Sequence, residues 1–442
     1  MVSQVNPINK SSDQFLLASY EGSGGFKTGD YLVRHVREQD DEFLRRKQLA
    51  IYPNYCRKIV DVYGGYLWKV PPNRTGLNDV YSAFLKNADG IGTDLDNVLA
   101  NYQRLANILG TVYIIVDKSP TKATSKADET LPYLTVRFHT QLTNETKDSF
   151  GQWKSVTFSE TINNETRYRT FTETSWSLSA GEDLVGVASG EHGLGRVPII
   201  QLHAMPKLRL MDSKSTSFFS DLSALNWSLF NLHSELRALL RDQTFAILTL
   251  PASSKEDRAA LSNLTIGTQN GLVYNPANSG VPAFIAPPPD SIESYRKYIA
   301  DTVGDIYRSA NLEFVGGVQA SGVALAFHFE EANAAMTTIN NETRRAEMEI
   351  KDLVARYQKT ADEGSVIYNK NFNLIDLAKT LDVAMTAVNM QLGGEFDREI
   401  KKRVARNILG NDTNSETMAK IEEEIDADGD VYGNRVAQQV NG

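Results

Sequence analysis

Apolar positions recur along the chain with two periods, and the change of period divides it. Phe218, Leu222, Leu225, Leu229, Leu232, Leu236 and Leu239 are spaced alternately four and three apart. That spacing predicts a helix over 218–242, about 36 Å long, with an apolar seam that packs against another helix. A second helix is predicted up to Ala310. Ile292, Tyr295, Ile299, Val303, Ile306 and Ala310 form one stripe. Pro287-Pro288-Pro289 precede it, since prolines are excluded from a helix interior, and Asp290 or Ser291 can cap its first amides. A third and longer helix is predicted from Val323 to about Tyr357, with Ala324, Ala326, Ala332, Ala334 and Ala335 on it and a densely charged second half, Glu342 to Glu349. Between the second and third lies a break holding Gly316, Gly317 and Gly322, residues that permit backbone angles closed to others.

Upstream, residues 1–30 read as a polar arm. Asp30 to Ala50 is charged and helical in pattern, and Cys56 to Trp68 is a helix that ends before Pro71-Pro72. Residues 77–109 predict two more helices separated by Gly90-Ile91-Gly92, the second closed by Gly110. From 111 to 204 the period becomes two. Val112–Val116 is a buried strand. Leu134 to Phe138, Trp153 to Phe158, Tyr168 to Thr172, Trp176 to Leu178 and Val197 to Leu202 alternate, and Asn163-Asn164 marks a hairpin. The stretch predicts one mostly antiparallel sheet about 90 residues long, with a solvated face rich in threonine.

Between the two strongest helices, Ala246–Leu250, Leu272–Tyr274 and Val281–Ala286 are strand-like, with turns at Asn275-Pro276 and Asn278-Ser279-Gly280. A small β lobe held between long helices suits a protrusion, two helices as stalk and the lobe as tip. The tail crosses a polar turn at Glu363-Gly364-Ser365. It then carries three helical patterns, Leu374–Leu392, Glu395–Leu409 and Ser415–Ile425.

Composition narrows the chemistry. The 442 residues suggest two or three domains, and 41% apolar with 23% charged residues is ordinary for a globular protein. The net charge of −9 argues against tight nonspecific nucleic-acid binding, which needs phosphate neutralisation. Cys56 is the single cysteine, which excludes an intrachain disulfide or a thiolate cluster; it reads as a small buried hydrophobe. Met1–Lys10 has no apolar core of a secretory signal, and no run of about 18 apolar residues predicts a membrane span. Gly22–Asp30 has Phe26 and Glu21 where a phosphate-binding loop needs glycines. Asp426–Asp430 has its glycine misplaced for a calcium loop, and Ala437 stands where the bidentate glutamate belongs. His233 on the strongest helix reads as structural. No catalytic motif is present, so no enzyme, no cofactor and no metal are expected.

The order of these pieces resembles the portal proteins of tailed bacteriophages, the head–tail connector family. The residues that carry the likeness are Tyr31-Leu32 with His35 and Glu38, Arg45-Arg46, Ala50-Ile51-Tyr52-Pro53-Asn54, Val60-Asp61 and Leu67 to Pro72. Further on they are Gly110 to Asp117, Ser220-Asp221-Leu222 with Leu225-Asn226 and Ser234-Glu235-Leu236, and Ala320-Ser321-Gly322-Val323-Ala324. The likeness covers roughly residues 30–360.

It implies an α+β portal fold. Residues 1–30 would be an N-terminal arm, 31–217 a wing of helices and antiparallel sheet, and 218–245 a stem helix. Residues 246–289 would be a clip, 290–311 a second stem helix, 312–322 a tunnel loop, 323–375 a long backbone helix, and 376–442 a crown and tail. It implies a ring of this chain, usually of twelve subunits, at one capsid vertex of the virion, assembled in the host cytoplasm. Double-stranded DNA would be packaged and ejected through its channel. The terminase large subunit and then the head–tail adaptor would dock on it, the major capsid protein would surround it, and no membrane is involved. Phe314, Val315, Gly316, Gly317, Val318, Gln319, Ala320 and Ser321 would form the tunnel loop. Arg296, Lys297 and Arg308 are the candidate channel cations. The alternative is an oligomeric helical scaffold or adaptor without a DNA channel, joined through the 218–239 seam.

Overall fold

A computed structural model describes residues 9, 12–119, 130–181, 185–209, 211–244, 247–252, 254, 271–274, 281–285, 289–312, 322–370, 372, 385–386, 393–409, 417–418 and 420–427. The expected polar arm is, from Ser12 on, part of the core. α1 (Asp13–Glu21) is capped by Ser12, whose Oγ accepts from the Phe15 amide, and α2 (Gly25–Thr28) follows. Phe15, Leu16 and Phe26 are buried. The polar composition misleads because so few apolar residues suffice: Phe15 and Phe26 pack with Leu32 and Phe230 in one aromatic cluster. The next expected helix is shorter than its pattern. Only α3 (Asp40–Leu49) forms, and residues 31–39 are irregular.

α4 (Tyr55–Leu67), α5 (Asp79–Lys86) and α6 (Leu95–Leu109) follow as the periodicity predicts, with a short strand β1 (Asn73–Thr75) before α5. α6 ends at Gly110, with φ of 88°. A Cβ there would lie 2.2 Å from the Ser215 carbonyl oxygen, so the turn into β2 (Thr111–Asp117) requires glycine.

The expected single sheet is two sheets. One has the order β3-β2-β9, with β3 at Tyr133–Phe138 and β9 at Ile199–His203. The other runs in sequence order through β4 (Leu142–Lys147), β5 (Trp153–Ile162), β6 (Glu165–Thr172), β7 (Ser175–Ala180) and β8 (Val185–Glu191), all antiparallel. The two pack face to face: Tyr113, Ile115 and Ile199 of the first, with Val197 just before β9, meet Val156, Phe158 and Phe171 of the second. Helices cover the other face of the first sheet, which is why β2 is apolar at nearly every position rather than alternating. Asn163 and Asn164, at φ 52° and 64°, form the β5–β6 turn, the two positive φ values that a tight hairpin demands.

α7 (Ser220–Thr244) carries the predicted seam, but the seam is not its only buried face. Ser223, Asn226, Phe230, Asn231 and Ser234 are buried beside Leu222 and Leu229, so α7 is packed on more than one side for half its length. Next come β10 (Ile247–Pro251), β11 (Gly271–Tyr274) and β12 (Ala283–Ile285), a small sheet with β10 central, parallel to β11 and antiparallel to β12. α8 (Pro289–Ser309) returns from it, and α9 (Gly322–Gln358) is the longest helix. The region expected as one long element to 375 contains a further strand, β13 (Ser365–Ile367), which pairs with β1. α10 (Gly394–Leu409) and the helical residues 420–427 are the described part of the tail. Arg406–Glu422 at 2.6 Å and Lys402–Asp426 at 2.6 Å tie them into an antiparallel pair. The pattern Leu374–Leu392 lies almost wholly outside the described residues.

Candidate functional site: the helical stem and its β tip

α7 and α8 pack against one another. β10 leaves the end of α7, β12 leads into α8, and the two strands are antiparallel neighbours. At the other end Tyr63 meets Phe218 at a tilt and Phe219 edge to face, ahead of α7, and donates its hydroxyl to the carbonyl of Ala310, just beyond α8. The helices are therefore antiparallel, rooted around Tyr63 and carrying the small sheet at the far end. At 1.5 Å per residue they reach about 37 and 31 Å.

Tyr295 of α8 donates to Glu235 of α7 at 3.0 Å, and burial followed by the Glu235 charge raises its phenol above the usual range. Inward positions Thr302 and Ile306 of α8 are buried. Arg296, Lys297 and Arg308 are all exposed. Arg296 lies 3.8 Å from Glu293, and Arg308 is 2.5 Å from Asp305. The outward face of α8 is thus a mixed-charge surface in which at least two of the three candidate cations already have a carboxylate beside them. The tunnel-loop candidates Phe314, Val315, Gly316, Gly317, Val318, Gln319, Ala320 and Ser321 lie outside the described residues. On β12, Phe284 and Ile285 are exposed.

A polar brace along the first half of α7 is absent from the sequence reading. Asn226 of α7 accepts the amides of Tyr55 at 2.8 Å and Cys56 at 3.2 Å, the first two of α4, and donates to the Pro53 carbonyl at 2.9 Å. It caps a helix far away in sequence. Asn231 accepts the Val33 amide at 2.7 Å, and the Trp227 indole donates to the Tyr31 carbonyl at 2.8 Å. Arg46 of α3 donates to Ser234 at 3.1 Å and to both oxygens of Glu38 at 3.0 and 2.8 Å. The signal was legible: asparagine is a poor mid-helix residue, and two of them inside a strong helix call for a tertiary reason. Cys56 is buried beside Ser223, and burial pushes its thiol up to about 11. His233 is half-buried and its pKa is lowered, by burial and then by Arg237.

A second brace holds α9. Glu347 is fully buried and accepts from Arg74 Nε at 2.7 Å, Tyr81 at 3.2 Å and Tyr368 at 2.5 Å. One turn on, Lys351 is buried and donates to the carbonyls of Glu363 and Gly364 at 3.0 and 2.7 Å. The charged run from Glu342 to Glu349 is therefore in part an interior feature.

Among the described residues no group of three or more His, Cys, Asp or Glu is placed to hold a metal ion, and no helix is long and apolar enough to cross a membrane. A groove of about 860 Å³ lies between the sheets and α9, lined by Trp153, Arg196, Gln201, Lys207 and Arg345. Its arginines are engaged: Arg196 pairs with Glu349 at 2.8 Å, and Arg345 with Glu342 at 3.0 Å and Glu349 at 2.6 Å.

No family model matches the chain, and no curated protein matches it. Among solved structures, it is similar to a chain of a virion of a native gene transfer agent particle, with 13% identity, a TM-score of 0.46, and coverage of 90% of this chain and 99% of the other. It is also similar to a chain of the neck of a native gene transfer agent particle computed with C12 symmetry, with 11% identity, a TM-score of 0.44, and coverage of 80% and 88%.

Proposed function

We propose that this chain is a portal protein of a tailed-phage-type particle. Copies would form a closed ring, usually of twelve subunits, at one capsid vertex, through which double-stranded DNA is packaged and later ejected. The observation that carries the reading is one unit of structure: α7, a three-stranded sheet, an antiparallel α8, a glycine-containing link and the long α9. The sequence likeness over roughly 30–360 points the same way.

In this reading α7 and α8 form the channel wall, and the β10–β12 sheet is the tip that meets first the terminase large subunit and then the head–tail adaptor. Residues 312–322 would serve as the tunnel loop. The wing faces the major capsid protein. The charge pattern of α8 suits a passage. Duplex DNA presents one phosphate per about 1.7 Å, and every uncompensated cation along its path adds affinity and slows transit. Arg296 and Arg308, with Glu293 and Asp305 beside them, guide without gripping. The chain does this work without turnover of a substrate.

Negative-stain electron microscopy of the purified chain tests the reading. Class averages viewed down the axis should be rings with a central hole of about 20 Å or more, wide enough for a duplex. Compact dimers or trimers of folded protein would sink it and would favour a helical scaffold or adaptor.

A further inference from the structure

α10 changes charge along its length. Its first turns are compensated from within: Arg398 lies 2.7 Å from Glu395, and Lys402 lies 3.8 Å from Glu399. Beyond them Lys401, Lys402, Arg403 and Arg406 fall within six residues that include no acid. Lys401 and Arg403 are exposed. The anions come from farther along the chain. Residues 410–442 hold eight acidic and two basic residues, most of the net charge of −9.

The match is made in register. Lys402 meets Asp426 at 2.6 Å, and Arg406 grips both carboxylate oxygens of Glu422 at 2.6 and 2.9 Å. The two cations are four residues apart on one helix and the two carboxylates four apart on the other, so both rows have a pitch of about 6 Å. Arg406 and Asp426 are each about half exposed. The Arg406 hydrogen bond and charge hold the Glu422 carboxyl below its usual range.

α8 answers the same need in another way. Arg296 and Arg308 have Glu293 and Asp305 three residues away on their own helix, carboxylates that cannot leave unless the helix unwinds. Glu422 and Asp426 sit on a separate helical segment, 420–427, too short to persist alone. They can leave as a unit. A guanidinium fork takes phosphate as it takes carboxylate, so a surface matched to Glu422 also fits a nucleic-acid backbone. Charge density decides the contest. Segment 420–427 carries Glu422, Glu423, Glu424 and Asp426 against Lys420, about one net charge per 4 Å of helix. Duplex DNA carries one per about 1.7 Å and sheds counterions when protein cations replace them.

We propose that the Lys401–Arg406 face of α10 is a binding surface for duplex DNA, and that the acidic helix 420–427 is a built-in competitor that covers it until DNA displaces it. The proposal rests on the channel reading above, in which the polyanion near this protein is double-stranded DNA. It makes the affinity of α10 for DNA conditional: weak for a passing duplex, strong once the acidic helix is off.

The test measures binding of a short fluorescent duplex to the full chain by anisotropy. Glu422→Gln combined with Asp426→Asn should tighten binding about five- to thirtyfold at about 50 mM salt, the range set by two exposed ion pairs. Adding Lys401→Gln and Arg403→Gln should cancel the gain. Glu173→Gln combined with Glu191→Gln removes two exposed charges from the β6–β7 turn and β8, and should change the affinity by less than about twofold. An equal gain there would reduce the effect to net charge and overturn the proposal. Hydrogen exchange needs no variant: the duplex should speed exchange across 420–427 and leave α10 protected. Exchange that the duplex leaves unchanged, with no gain in the neutralised variant, would overturn the proposal. So would displacement of 420–427 by polyglutamate and not by the duplex, which would assign the surface to an acidic protein partner. Rings whose acidic helix ignores DNA would sink this proposal alone, and an acidic helix that DNA displaces in a chain that forms no rings would sink the ring reading alone.

Discussion

Arg74 of β1 and Glu347 of α9 meet in the interior, Nε to Oε1 at 2.7 Å, with none of the Glu347 side chain reaching solvent. Arg74 also reaches Asp96 at 2.6 Å, and Tyr81 and Tyr368 supply hydroxyls to the same carboxylate. Burial, then the Glu347 charge, hold both phenols well above their usual range. The cluster binds α9 to α5, α6 and the β1–β13 ribbon. Removing one partner of a buried pair strands the other. Glu347→Ala should cost about 3 to 5 kcal/mol, measured by urea denaturation. A loss under about 1 kcal/mol would mean that water replaces the carboxylate, and that the cluster is not what holds α9.

Asn226 makes a sharper case. Replacing it with Leu keeps the branched shape but orphans the first two amides of α4 and the Pro53 carbonyl. The expected cost is about 2 to 4 kcal/mol. Hydrogen exchange should report it locally, with faster exchange at Tyr55 and Cys56 and little change in the five-stranded sheet. Uniform acceleration over the helices and both sheets would contradict a local capping role.

His203 gives stability a pH dependence. Its ring is buried, and burial, then Arg345 and Lys207, lower its pKa to about 3. Thr111 Oγ1 accepts the Ser215 amide at 2.8 Å and shares a hydrogen bond of 2.9 Å with His203 Nδ1. The folded pKa lies below the unfolded value of about 6.5. The unfolded chain therefore binds the extra proton between these values, and stability is lost as pH falls from about 6.5 toward 3. Between pH 8 and pH 5 the wild type should lose more unfolding free energy than His203→Gln, by on the order of 1 to 2 kcal/mol, read by urea denaturation at each pH. Parallel curves would remove His203 from the account.

Gly110→Ala should destabilise by at least roughly 2 kcal/mol, because φ is 88° and the added carbon meets the Ser215 carbonyl oxygen at 2.2 Å. A thermal melt reads it. A variant that melts with the wild type would show that the 213–217 segment can retreat.

Deleting Phe314 to Gln319 should leave ring assembly intact and abolish DNA packaging, scored by electron microscopy and by packaged DNA per particle. Packaging at the wild-type level would remove the tunnel-loop role.

The elements read most plainly from the sequence were those whose period is set by one solvated face. α6, α7 and α8 each show it through an apolar stripe, as Ile292, Tyr295 and Ile299 do on α8. Asn163-Asn164 was legible for a local reason, since few other pairs accept two positive φ values. The sheet split was not, because alternation fixes which face a residue occupies but not which sheet its strand joins. β2 hides the division, its residues facing helices on one side and β5 and β6 on the other. The arm failed because composition averaged Phe15 and Phe26 into a polar window. The braces were missed for a related reason. Asn226, Asn231, Arg46 and Glu347 look solvated in a hydrophobicity pattern; the two asparagines are out of place in mid-helix, but most of the partners that make these residues interior lie far off in sequence, as Tyr55 does for Asn226 and Arg74 for Glu347. Of the candidate site, Arg296, Lys297 and Arg308 fall on an exposed helix face, while their carboxylate neighbours, not the cations alone, set what that face can do.

The Asn231–Val33 hydrogen bond spans 198 residues, and this has a consequence for the nascent chain. At roughly 5 to 20 residues per second, the first helices wait on the order of 10 to 40 s before the helix that caps and clamps them has been made. Through that interval Phe15, Phe26 and Leu32, which pack against Phe230 of α7, are uncovered at once. The period in which this protein most needs a chaperone precedes any encounter with another copy, and its length is set by where α7 falls in the reading frame.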